Sequence, residues 1–360
     1  MEVYKPGISL SSNLLMLKWD LLNSHVHHHP IKITPGDHIN VFINFEGILR
    51  NLSMQKNLSN LVSFHKQKVV LELESSILNL IGAYRTYFKK ERCIPKMYFY
   101  FTDLNDRKQQ MTVYNKFYRT YYRNKYVQNP QFRDMGILLN KTIIPEVKLI
   151  LSYIPDCYFI ESKTFDGSII PLIVSSFSDS KNVIITTDIF DTLYLYNPNF
   201  LVIYIKRRYS NFSVMSTIQD TVESIIKNEN PFDLTLFNSE LYYKLLLSIK
   251  GSKIRNISSA KGFGYGKCLK LLKEGLEKDI VLRDFESIGS VLQLFPEKYQ
   301  MDIKDAFQCT DLDIQYGLLS DTDIEEIKSQ MVDKMDVASM EALNNKRFLE
   351  FPIQLQNLLD

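Results

Sequence analysis

Asp103, Asp166 and Asp188 each stand near the end of a short apolar run, and Asp191 follows three residues after the last of them. Carboxylates gathered at the ends of neighbouring strands are what metal-assisted phosphodiester hydrolysis requires. Two divalent ions held about 3.5–4 Å apart, one generating hydroxide and one steadying the leaving oxygen, need several anionic oxygens to offset their charge. A single Mg²⁺ or Mn²⁺ site built from Asp103, Asp166 and Asp188 is one reading of these acids, with Asp191 and Glu46 as further carboxylates. The same residue type has a second use, because Asp after a strand readily caps the helix that follows. Asp188, which precedes a helical pattern, reads better as a cap, and Asp103 and Asp166 stay open between the two roles.

A second constellation runs from Lys250 to Leu272. Gly262, Gly264 and Gly266 alternate with Phe263 and Tyr265 just before a helical pattern. A Gly-x-Gly hairpin there exposes backbone N–H groups at a helix start, where the helix dipole favours a phosphate. Lys253, Lys261 and Lys267 flank it and would add contacts to phosphate that carry no sequence information. A third stretch, Tyr114 to Tyr126, mixes tyrosines with Lys116, Arg119 and Arg123, and Arg107 lies just upstream. Aromatics among cations suit stacking on single-stranded bases; a helix with tyrosine on its core face fits equally well.

The elements that must position these residues can be read from periodicity. Ile39 to Ile43, Lys96 to Phe101, Cys157 to Glu161, Asn182 to Thr186 and Phe200 to Ile205 are compact apolar runs that predict buried strands. Helical patterns separate them, at Val69 to Phe88, Ile144 to Tyr153, Ser168 to Phe177 and Asp188 to Leu195. Strands alternating with helices imply a parallel sheet, whose chemistry sits beyond the strands' carboxyl ends, where Asn44, Asp103 and Asp188 fall. After Arg207 the pattern turns helical, at Asn211 to Asn228, Ser239 to Ile249, Gly264 to Gly275 and Asp321 to Ala342. The expected division is an extension over 1–38, an α/β domain over 39–206, a helical domain over 207–300 and a C-terminal helical extension over 301–360.

The segment Lys250 to Leu272 resembles, without a gap, the motif K-G-D-x-S-D-N-I-P-G-v-x-G-I-G-x-K-T-A-x-x-L-L of the 5′-nuclease (flap endonuclease) family. Upstream motifs of that family have counterparts in the same order. Val41 to Gly47 resembles the strand ending in D-G-x-N, with Asn44 in place of the acid. Phe101 to Arg123 resembles the second motif and keeps Asp103, Arg107, Tyr114, Phe117, Arg119 and Arg123. Thr164 to Gly167 resembles E-A-D-D and keeps only Asp166. Thr186 to Phe190 resembles S-S-D-x-D and keeps Asp188, with Phe190 at the second acid and Asp191 one position on. In the hairpin segment Ser252 and Arg255 replace both aspartates, and Arg255 sets a positive charge at the rim of the second metal site.

The resemblance spans about residues 39 to 275. It implies a Rossmann-like (PIN-like) α/β sheet followed by a helix-hairpin-helix-type DNA-binding domain, with DNA as partner and K⁺ at the hairpin carbonyls. With most metal-ligand carboxylates replaced, it implies a scaffold that binds DNA without cutting it. A residual Mg²⁺- or Mn²⁺-dependent 5′-3′ exonuclease or flap endonuclease, and a fold recruited for assembly with a polymerase or virion protein, are the alternatives.

The rest of the sequence narrows the field. Lys and Arg total 43 against 41 Asp and Glu, so the net charge of +2 does not announce a nucleic-acid binder; the clustering of cations does. Cys93, Cys157, Cys268 and Cys309 are widely spaced, which excludes a C-x-x-C metal or redox pair and predicts reduced thiols. No apolar stretch approaches the roughly 20 residues of a membrane helix, and no signal-like segment opens the chain, so a cytoplasmic protein is expected. The Asn-, Lys-, Ile- and Tyr-rich composition points to a phage, virus or low-GC bacterium. His25, His27, His28 and His29 read as a solvated loop ahead of Pro30 rather than a Zn or Ni site. Gln354 to Leu359 faintly resembles a sliding-clamp docking tail and reads better as an apolar tail packed on its own domain.

Overall fold

The apolar runs become strands because they are buried on both faces, so no polar alternation is needed. In a computed structural model, the described residues are 33–45, 81–82, 84–90, 92–102, 144–162, 165–208, 211–226, 234–251, 260, 263–284 and 286–331. The strands are β1 (His38–Asn44), β2 (Ile94–Thr102), β3 (Cys157–Ser162), β4 (Lys181–Thr186), β5 (Phe200–Arg208) and β6 (Asn211–Met215). They form one sheet in the order β3-β2-β1-β4-β5-β6, parallel except for β6, which pairs antiparallel with β5. The expectation of a helix from Asn211 is corrected here. Residues 211–215 continue the sheet as a hairpin partner of β5, and the helix starts only at Ile218.

The helices are α1 (Ile144–Tyr153), α2 (Ile170–Ser175), α3 (Ile218–Ile226), α4 (Glu240–Lys250), α5 (Tyr265–Glu277), α6 (Ile288–Leu292), α7 (Glu297–Thr310), α8 (Leu312–Gly317) and α9 (Asp321–Ser329). Residues 84–90 are also helical, within the stretch expected to be a helix from Val69. Short 3₁₀ turns cover Gly167–Ile169, Ile189–Tyr196 and Leu234–Asn238.

Alternate residues of the strands line one core. Phe42, Tyr98, Tyr100, Tyr158, Ile160, Ile184, Phe200 and Val202 share a face with Ile170, Ile173 and Val174. Phe42 stacks on Tyr98 and Tyr98 on Tyr158, with ring centroids 5.2 Å apart in each pair, an aromatic ladder across three strands. Helix α9 closes this face by burying Ile327. Just beyond it, Gln330 accepts from the Glu161 N–H (2.7 Å) and donates to the Glu161 carbonyl (2.9 Å). One side-chain amide thus does at edge strand β3 what a neighbouring strand would do.

A second core joins the sheet to the helices. Phe190 and Leu193 pack with Tyr243, Leu246 and Leu247 of α4, Leu269 and Leu272 of α5, and Phe307 of α7. The buried Lys244 ammonium ties α4 to the α7–α8 junction, 2.8 Å from Asp311 Oδ2 and 2.8 Å from Glu240 Oε1.

Candidate functional site at the strand ends and the hairpin helix

Chain order reverses at β1, since β2 and β3 lie to one side of it and β4 and β5 to the other. In sheets of this kind chemistry sits beyond the carboxyl ends of the strands at the switch point, here β1 and β4. Asn44 ends β1, and its register partner on β2 is Tyr100. On the other side Ile43 pairs with Ile185, so Thr186 is the next residue along β4. Asn44, Tyr100 and Thr186 have the same parity as Phe42, Tyr98 and Ile184, and therefore emerge on one face of the sheet.

There they meet Asp191. Its Oδ2 accepts from Asn44 Nδ2 at 2.6 Å, from the Tyr100 hydroxyl at 2.8 Å and from Thr186 Oγ1 at 2.5 Å. Asp191 is 1% exposed. Thr186 Oγ1 also accepts from the Asp188 N–H at 2.9 Å, which joins the strand end to the 3₁₀ turn that carries Asp191. These three donors to Oδ2 are neutral: an amide, a phenol and an alcohol. Phe190, at the position of the family's second acid, is 0% exposed in the helical core. Its burial fixes the turn so that Asp191, one residue on, faces the strand ends.

Asp166 and Asp188 act as caps. Asp188 has extended backbone and accepts from the Phe190 N–H at 3.1 Å, as N-cap of the 189–196 turn. Asp166 accepts from the Ser168 N–H at 2.9 Å, as N-cap of the 167–169 turn. Cys309 of α7 lies near Asp166. Burial, with Asp305 and Asp166 adding to it, pushes the Cys309 thiol up to about 12, and burial alone does the same for Cys268. Both thiols are therefore protonated at neutral pH.

A divalent ion needs converging anionic oxygens. Among the described residues, no three His, Cys, Asp or Glu side chains gather in that way. Asp191 spends Oδ2 on three donors, and Asp166 and Asp188 each spend an oxygen on a backbone N–H. These residues do not fit the metal pair that the resemblance implies. Asp103, Glu46, Arg107, Lys116, Arg119 and Arg123 lie outside the described residues, as do the histidine cluster and the tail at 354–359.

Of the hairpin segment, Lys253, Arg255, Lys261 and Gly262 lie outside the described residues, so the expected K⁺ site there does too. Gly264, Gly266 and Lys267 are described, and all three are exposed. Gly264 is the N-cap of α5, with extended backbone and no side-chain cap. A Cβ built on Gly264 or Gly266 meets nothing within 4 Å, so both face open space. Phe263 seats the helix start, its ring 5.4 Å from Phe295 and 5.5 Å from Tyr299. Helix α4, which leads into the hairpin, is joined to the 189–196 turn by a 2.5 Å hydrogen bond between Tyr243 and Thr192, the neighbour of Asp191.

Sequence reasoning missed Tyr100 and Thr186. Their signal was positional, since each is a hydroxyl-bearing residue near the carboxyl end of a strand that flanks β1. Among the described residues, no helix is long and apolar enough to cross a membrane.

No family model and no curated protein matches the chain. Among solved structures, the chain is similar to the flap endonuclease of bacteriophage T5, a pseudo-enzyme–product complex with DNA and metal ions. Identity is 12%, the match covers 81% of this chain and 98% of that one, and the TM-score is 0.50. It is also similar, at 12% identity and a TM-score of 0.38, to the catalytic core of Rad2 in complex with a DNA substrate, over 90% of this chain and 92% of that one.

Proposed function

We propose, from a chain that has the flap-endonuclease fold, that the protein grips duplex or branched DNA by its backbone without reading sequence and without cutting it. The observation that carries the reading is the neutral network on Asp191. Where phosphodiester cleavage needs carboxylates to face metal ions, Asn44, Tyr100 and Thr186 turn donors inward onto Asp191. An amide at Asn44 donates to that acid, whereas a carboxylate there would repel it.

The gripping half of the reading is supported by the start of α5, uncapped by any side chain, without acid in its first turn and with Lys267 exposed beside it. Lys253, Lys261 and the arginines at 107, 119 and 123 would add to the same phosphate contacts. On this reading the sheet, through β6, supplies the scaffold, and the helices that follow supply the grip. The Asn-, Lys- and Ile-rich composition supports a phage or viral DNA transaction in the host cytoplasm, with a replication, transcription or virion protein as further partner.

The test incubates purified protein with a 5′-flap substrate in Mg²⁺ and in Mn²⁺, beside a gel-shift titration in rising salt. Retarded DNA that stays intact, with retention falling steeply as salt rises, is the expected result. Cleavage lost on Asp166→Ala would replace this reading with a residual nuclease. Absence of any shift at low salt would leave a fold recruited for assembly.

A further inference from the structure

The turn that carries Asp191 is a 3₁₀ helix of eight residues, Ile189–Tyr196, buried from Ile189 through Tyr194. That is long for this geometry, whose eclipsed side chains and poorer hydrogen bonds keep most runs to three or four residues. Contacts outside the helix must hold it.

Four of its side chains supply them. Asp191 is tied to the ends of β1, β2 and β4. Thr192 is tied to α4. Its Oγ1 donates to the Ile189 carbonyl, so at its contact with Tyr243 the tyrosine hydroxyl is the donor. The Tyr194 hydroxyl donates at 2.6 Å to the Ser168 carbonyl, in the turn that Asp166 caps. The Tyr196 hydroxyl donates to the Phe237 carbonyl, in the turn just before α4. Phe190 and Leu193, three apart, enter the helical core, while Tyr194, three after Asp191, enters the sheet core.

These ties suit a three-residue turn. Side chains three apart eclipse in a 3₁₀ helix, whereas in an α-helix they are offset by about 60°. Relaxing toward α geometry would swing Tyr194 off the Ser168 carbonyl while Asp191 kept the strand ends, or the reverse. The ties therefore hold or yield together.

We infer that the 189–196 helix is a conformational relay, a single cooperative unit that passes a movement of α4 to Asp191 and the strand ends. Helix α4 runs into the hairpin segment through its cap, Gly251, so a load on the hairpin reaches the far end of the sheet by this route. The relay belongs to the folded chain alone, with or without DNA.

Native-state amide exchange on the full chain tests the relay, with wild type beside Tyr243→Phe, Tyr100→Phe and Tyr242→Phe. Each variant deletes one buried hydroxyl. The first cuts the tie to α4 and the second a tie to the strand ends. The third is a control on the same helix, since the Tyr242 hydroxyl accepts from the Leu282 N–H at 3.0 Å. Two amides report on the two ends of the unit. The Asp188 N–H donates to Thr186 Oγ1 at 2.9 Å, and the Asn197 N–H donates to the Tyr194 carbonyl at 3.1 Å. Losing one hydrogen bond changes an opening equilibrium by about two- to tenfold. Tyr243→Phe and Tyr100→Phe are each expected to speed both amides by one common factor in that range, and Tyr242→Phe to leave both unchanged. An effect of Tyr100→Phe confined to Asp188, an unchanged Asp188 N–H in Tyr243→Phe, or equal acceleration by Tyr242→Phe would overturn the relay. Tyr100→Phe decides by itself if Tyr243→Phe fails to fold.

Discussion

Asn44 Nδ2 donates to Asp191 Oδ2 across 2.6 Å, joining the end of the central strand to the turn that follows its neighbour β4. The contact sets a neutral amide, and not a second carboxylate, against the buried acid.

Asn44→Asp should therefore destabilise the fold by about 3 kcal/mol or more, since it buries like charges in contact. One carboxyl of the pair would have its pKa raised in the folded state by the other. The variant's deficit should then be small near pH 4, about the ordinary carboxylate range, and grow as pH rises toward neutrality. Thermal melting across that range, with Mn²⁺ and with chelator, measures it; Mn²⁺ should narrow the deficit. A deficit independent of pH would rule this account out.

Asp188 and Asp166 are expected to behave as caps. Asn caps as well as Asp, whereas Ala loses about 1 kcal/mol. Asp188→Asn and Asp166→Asn should thus retain wild-type melting, and the alanine variants should lose it. If Asn is as damaging as Ala, the charge matters and not the cap.

Lys244 tests the junction between α4 and α8. Burial pulls its pKa down, but the hydrogen bonds with Asp311 and then Glu240 outweigh burial and leave the ammonium above its usual range. A raised folded-state value contributes stability that is full below the unfolded lysine pKa and is lost as pH climbs through the folded one. Lys244→Met, which leaves Asp311 buried without its partner, should cost about 3–5 kcal/mol at neutral pH. Urea unfolding should show the wild type losing stability above about pH 10.4 while the variant does not share that loss.

Gln330→Ala should strip edge strand β3 of both hydrogen bonds to Glu161, at about 1–3 kcal/mol. Amide exchange gives a local readout. The Glu161 N–H should exchange much faster in the variant, with the inner strands β1 and β4 little changed.

Lys267→Glu should pull stability and binding in opposite directions. An acid near the positive end of α5 should stabilise the helix by about 0.3–1 kcal/mol and remove DNA retention in the gel shift. A variant that melts lower than wild type would contradict the dipole argument.

Some of this was legible in sequence because the signal was local. The runs at 39–43, 96–101, 157–161, 182–186 and 200–205 are mostly apolar, as strands covered on both faces tend to be, and each lies within a strand of the sheet. Strand β6 was illegible. Its five residues (NFSVM) lead directly into an amphipathic helical pattern, and only pairing with β5 makes them a strand. The helices from Ile288 to Gly317 escaped for a related reason, since their buried faces are defined by α4 and α5 far back in the chain.

For the site, the sequence by itself determined which charges each position carries. Asn44, Phe190, Ser252 and Arg255 stand where the family resemblance leads one to expect acids, and lysines recur through 250–273. What only the tertiary structure decided is where the surviving acids point. Burying Phe190 in the helical core turns Asp191 toward β1, and the parallel register brings Asn44, Tyr100 and Thr186 to the same spot. Residue identity fixes the charge a position can carry. Whether that charge faces a metal, a backbone N–H or a neighbouring amide depends on partners that range from 2 to 147 positions away.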